Sequence, residues 1–158
     1  MDFQLEGVPP EELARLLEMV PQLAIPPSQL VGVVAVAHLA EASGVTVEML
    51  AIGVREAGAL ITWRARADRR VGILIPRVSI TDDQLTEYRA FGDRGGGDER
   101  SWSGEIALIP APPPGVTLHI EIETLGANER MPMPGWTPNG PVSGPWRFTV
   151  PTRDIQRR

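Results

Sequence analysis

The chain has 158 residues, a length that one domain fills and that allows a sizeable buried core. Its 42% hydrophobic and 22% charged residues exclude a disordered or fibrous chain. All 15 basic residues are arginine and the 20 acids leave a net charge of -5, so the overall field repels polyanions and argues against nucleic acid as a partner.

The absence of cysteine removes disulfides, thiolate nucleophiles and thiolate metal sites. The longest apolar run, residues 30–37, falls far short of the roughly 18 to 20 residues of a spanning helix, so no membrane span is expected. Residues 1–6 carry acids where an export signal carries Lys or Arg, and Pro9-Pro10 break the first apolar stretch. If the chain is complete, a cytoplasmic location is the expectation. The 16 Gly and 16 Pro suit many short strands joined by turns.

In chain order, Pro9-Pro10-Glu11-Glu12 supply the proline and acids that a helix N-terminus tolerates and its dipole favours. Leu13, Leu16, Leu17 and Val20 then recur at helical spacing until Pro21, which predicts a short amphipathic helix that must bury one face. With its proline-rich linker it occupies residues 1–27. A β-sandwich is expected over 28–151 and a polar tail over 152–158. The valine-rich residues 30–42 read as a strand, continuous enough in apolar character to be buried on both faces. Turns at Ser43-Gly44 and Glu56-Ala57-Gly58 then make a three-strand meander. In its third member Ile61, Trp63 and Ala65 share a face opposite Arg64 and Arg66.

Residues 71–81 read as a strand with an edge or bulge at Pro76. Asp82-Asp83 are turn formers, read as a hairpin tip, and residues 92–100, with Gly95-Gly96-Gly97, read as a mobile loop. Trp102 opens another strand over 102–109. Val116, Leu118, Ile120 and Ile122 alternate with Thr117, His119, Glu121 and Glu123, the clearest strand of the chain. Residues 125–144 form a long excursion rich in Pro, Gly, Met and Asn, and Trp146, Phe148 and Val150 close the fold. Seven or eight short strands indicate an all-β, antiparallel sandwich.

Chemistry finds little support. His38 and His119 are the only histidines and neither stands in a nucleophile signature. Asp82, Asp83 and Glu87 lack the spaced oxygen ligands of a calcium loop. Glu121 and Glu123 fall on one outer strand face, where solvated acids are routine. Gly95-Gly96-Gly97 is not followed by Lys-Ser or Lys-Thr, so no phosphate loop is indicated. No cofactor, metal or catalytic residue is expected.

The segment Val78-Ser79-Ile80-Thr81-Asp82-Asp83-Gln84-Leu85-Thr86-Glu87-Tyr88 resembles a signature of uncharacterised bacterial, largely actinobacterial, immunoglobulin-like domains. The order of Gly95-Gly96-Gly97, Trp102-Ser103-Gly104-Glu105, Pro112-Pro113-Pro114 and Pro145-Trp146-Arg147-Phe148 agrees with it. The resemblance spans roughly residues 31–151. It departs from the pattern at Gln84-Leu85-Thr86, where a glycine is missing. It implies an immunoglobulin-like sandwich without an assigned activity, in an envelope or signalling context.

The resulting expectation is a non-enzymatic interaction or structural module. Trp102, Met131, Met133 and Trp136 are its candidate contacts, because Met and Trp suit adaptable surfaces. The partner is another protein, or a second copy in a homodimer joined through the helix or a sheet edge. The alternative is a small-ligand or carbohydrate-binding sandwich that stacks its ligand on Trp102 and Trp136.

Overall fold

The computed structural model describes residues 29–71, 74–98, 100–126 and 141–153. Eight strands follow one another among them: β1 (Leu30–Ala42), β2 (Val45–Arg55), β3 (Ala59–Ala67), β4 (Ile75–Asp82), β5 (Arg89–Gly97), β6 (Ser101–Ile109), β7 (Thr117–Gly126) and β8 (Val142–Pro151). They form a five-stranded sheet, β1-β2-β3-β6-β5, and a three-stranded sheet, β4-β7-β8. Every pairing is antiparallel. The described residues form an all-β sandwich, as the alternation predicts. The expected N-terminal helix lies outside the described residues.

The core follows from period two. Val47, Met49 and Ile52 of β2, Ile61, Trp63 and Ala65 of β3, and Ile106 and Leu108 of β6 face Leu118, Ile120 and Ile122 of β7 and Trp146, Phe148 and Val150 of β8. Two indoles illustrate different solutions to the buried N–H. Trp146 Nε1 crosses the sandwich and donates to the Val45 carbonyl at 2.9 Å, whereas Trp63 Nε1 has no acceptor among the described residues. At the C-terminal end, Thr152 is buried and gives both its N–H, at 2.8 Å, and its hydroxyl, at 2.7 Å, to the Val116 carbonyl.

Three sequence expectations are corrected. First, β1 is an edge strand rather than one buried on both faces, with Val33 and Leu39 exposed. A bulge between Ala35 and His38, with Ala37 at a φ of 50°, interrupts its ladder. Second, Gly95, Gly96 and Gly97 are not loop. They pair with Gly104, Ser103 and Trp102 as the end of β5, because β6 brings its backbone and its indole where side chains would stand. A Cβ on Gly95 would lie 2.5 Å from Trp102 Nε1, and one on Gly97 would lie 2.0 Å from the Ser101 carbonyl oxygen. Third, Asp82-Asp83 is not a hairpin tip, since β4 and β5 belong to different sheets and the segment between them crosses the sandwich. By contrast, Pro76 does lie on an edge strand, beside a bulge at Arg77 and Val78.

Candidate functional site

The β4–β5 crossing is organised by a buried carboxylate and the donors around it. The buried Asp82 ends β4 and accepts three hydrogen bonds from the next six residues. Its Oδ1 accepts from the N–H groups of Gln84 (2.9 Å) and Thr86 (3.0 Å), and its Oδ2 accepts from the Tyr88 hydroxyl (2.6 Å). An aspartate is needed because the position must accept from several donors with no proton of its own. Asp83 ties the start of the same segment to β7, the neighbour of β4 in its own sheet, by accepting from the Thr117 N–H at 3.1 Å.

Burial alone would push the Asp82 carboxyl upward, but the Tyr88 hydroxyl and the Thr86 and Gln84 donors outweigh it and hold the group at about 2. For Tyr88 the two influences add: burial pushes the phenol up, and the hydrogen bond it gives to Asp82 pushes it further. A carboxyl lowered from its ordinary 3.8 to about 2 contributes stability that is whole above about pH 4 and disappears as the pH falls toward 2. Asp82→Asn is therefore expected to melt well below the parent chain at pH 7, on the order of 5–10 °C, with the gap narrowing between pH 4 and 2. Paired melting curves across that range check this. A gap independent of pH would remove the ionised carboxylate from the account.

This clamp holds Leu85 in an unusual state. Its φ is 59°, in the left-handed region where a side chain costs roughly 1–2 kcal/mol, and it is 87% exposed. The Leu85 N–H reaches only the Asp82 carbonyl, at 3.4 Å. The fold thus keeps a large apolar side chain in water, at a backbone position that favours glycine, on a corner fixed at both ends. Sequence reasoning did not name Leu85 as a contact, yet the glycine absent from Gln84-Leu85-Thr86 was its signal.

Of the contacts expected from sequence, Met131, Met133 and Trp136 lie outside the described residues. Trp102 is half-buried at the opposite end of the sandwich, where its indole lies across Gly95 and packs against the core. Its ring is committed to the sheet rather than held out as a stacking surface. A cleft of about 460 Å³ near that end is lined by Ser43, Arg69, Val71, Pro141 and Ser143. Polar groups there satisfy one another: the Ser43 hydroxyl donates to the Ser143 carbonyl at 2.6 Å, and Arg69 donates to the Ser43 carbonyl at 2.7 Å and to Asp68 at 3.2 Å. His119 is exposed, and Glu121 and Glu123 pair with Arg147 and Arg77. No group of three or more metal-ligating side chains occurs among the described residues. No helix among them is long and apolar enough to cross a membrane.

Fold and site together define an antiparallel β-sandwich with an apolar corner. No family model matches the chain, and no curated protein is similar to it. A similar solved structure is the crystal structure of the conserved domain protein from Bacillus anthracis, 14% identical with a TM-score of 0.59 over 75% of this chain. The chain spans about two fifths of that protein, the matched share being 41%, and the likeness concerns the fold alone.

Proposed function

We propose that the chain is a non-enzymatic interaction module of immunoglobulin-like type that presents Leu85 to an apolar pocket on a protein partner. The order β2-β3-β6-β5 against β4-β7-β8 supports the immunoglobulin-like reading, because it corresponds to the ABED and CFG sheets of a constant-type domain with β1 added at one edge. The observation that carries the function is the held, exposed Leu85. Backbone strain kept at a surface position is a mark of functional sites, and a rigid apolar side chain loses little entropy when it is buried in a partner.

Two substitutions separate function from fold. Leu85→Ala keeps the backbone demand and removes the anchor. Leu85→Gly removes both, and its relief of the left-handed strain offsets the roughly 0.5–1 kcal/mol that glycine's extra freedom costs in the unfolded chain. Both variants are expected to melt within a few degrees of the parent, with glycine the higher. Each is expected to weaken partner binding about 10- to 100-fold, the worth of burying one leucine side chain. Quantitative affinity enrichment from the source cells, with light scattering to detect a second copy as the partner, reads this out. Partners retained equally by all three proteins would refute the proposal, as would a glycine variant that melts far below the parent.

A further inference from the structure

The outer face of the five-stranded sheet is polar at one end and apolar at the other. Toward the β1–β2 turn, Leu39, Glu48, Arg64, Ser103 and Gly96 form one row across the strands, with Arg64 and Glu48 paired. Near the start of β1 the corresponding row is Val33, Gly53, Leu60, Ala107 and Phe91. None of these five belongs to the core cluster, whereas their neighbours Ile52, Ile61 and Ile106 do, so the row lies on the face turned away from the second sheet. Leu30 extends it, since a Cβ on Gly53 would meet Leu30 Cδ1 at 3.7 Å. Leu30 and Val33 are 49% and 51% exposed, while Ala107, between half-buried Leu60 and Phe91, is fully covered.

An apolar row across five strands, roughly 19 Å at the usual strand spacing, is more than an outer face in water normally carries. The chain itself supplies the complementary surface. Residues 1–28, outside the described residues, join the sandwich beside Leu30, at the margin of this row. Their sequence carries Leu13, Leu16, Leu17 and Val20 on one helical stripe, with Glu12, Arg15 and Glu18 off it. The eight residues 21–28 between Val20 and Gln29 span up to about 26–29 Å when extended, enough to place that stripe anywhere along the row. Such a short tether also gives the segment a millimolar effective concentration that a separate molecule rarely matches.

We infer that the amphipathic segment at residues 13–20 docks in cis on the apolar half of this face, covering Leu30, Val33, Leu60 and Phe91. The cysteine-free chain permits a clean test in the full-length protein. A nitroxide is attached at Glu18→Cys, off the apolar stripe, and the backbone amide signals are followed by NMR. Broadening is expected at Gly53, Leu60 and Ala107, with Ile120 and Phe148 of the opposite sheet spared. Mixing isotope-labelled, spin-free protein with spin-labelled, isotope-free protein should give no broadening. If it appears only in that mixture, the occupant is a second copy and the cis assignment is overturned. Absence of broadening in both samples overturns it as well. In parallel, Leu13→Asp/Leu17→Asp should raise the fluorescence of a hydrophobic-surface dye several-fold at unchanged strand content, and an unchanged signal counts against the assignment.

Discussion

Trp146→Ala is expected to destabilise the sandwich by about 3–5 kcal/mol, a large share of the 5–15 kcal/mol that typically holds a domain of this kind together. The Trp146 side chain is wholly buried between the two sheets, and its indole N–H is given to the Val45 carbonyl of the other sheet at 2.9 Å. Truncation removes a large apolar volume and leaves that carbonyl without its donor. Trp146→Phe separates the two losses, because it keeps much of the volume and forfeits the hydrogen bond. The phenylalanine variant should lose about 1–2 kcal/mol. Denaturant unfolding followed by circular dichroism measures both. Equal losses for the two variants would assign the effect to the bond rather than to packing, against this expectation.

Gly144→Ala is expected to cost about 2–3 kcal/mol although it adds a single methyl group. A Cβ at this position would stand 2.6 Å from the Ile122 carbonyl oxygen, 2.7 Å from Trp146 Cε3 and 2.9 Å from the Glu123 carbonyl oxygen. Two of those three are backbone atoms at the bulge where β7 and β8 shift register between Ile122 and Thr124, so no rotamer change relieves them. Gly96→Ala is the control on the other sheet, since a Cβ there meets nothing within 4 Å and the change should be close to neutral. Urea unfolding of the two variants side by side tests the contrast, and a Gly144→Ala protein as stable as Gly96→Ala would contradict the packing argument.

How legible these features are in the sequence depends on whether side chains or neighbouring strands specify them. β7 and the residue before it could be read directly, because Val116, Leu118, Ile120 and Ile122 alternate with polar residues and every one of the four is buried. The third strand was equally plain, with Trp63 inside and Arg64 out. The glycine-rich end of β5 could not be read, since Gly95 and Gly97 have no side chains to show a period and their place is set by Trp102 and Ser101 across the ladder. β1 misled for a different reason: its outer residues Val33 and Leu39 are apolar although exposed, so an edge strand carries the composition of an interior one. At the candidate site, Asp82 was legible as a turn former. Its role as acceptor to Gln84, Thr86 and Tyr88, and the exposure of Leu85, needed the geometry of the crossing between the sheets.

The two strands that begin and end the described sandwich meet at that corner. Leu30 opens β1 and pairs with Arg55, Pro151 closes β8 and pairs with Thr117, and the Thr117 N–H is bonded to Asp83. Entry, exit and the Leu85 crossing therefore share one end of the molecule. Any polypeptide fused before Gln29 or after Arg153 is delivered to the rim where Leu85 stands, so a domain appended there would meet it as a tethered neighbour whose local concentration is fixed by the joining segment rather than by expression level. The far end, with the Ser43-Gly44 turn, is the one that points away from such a neighbour.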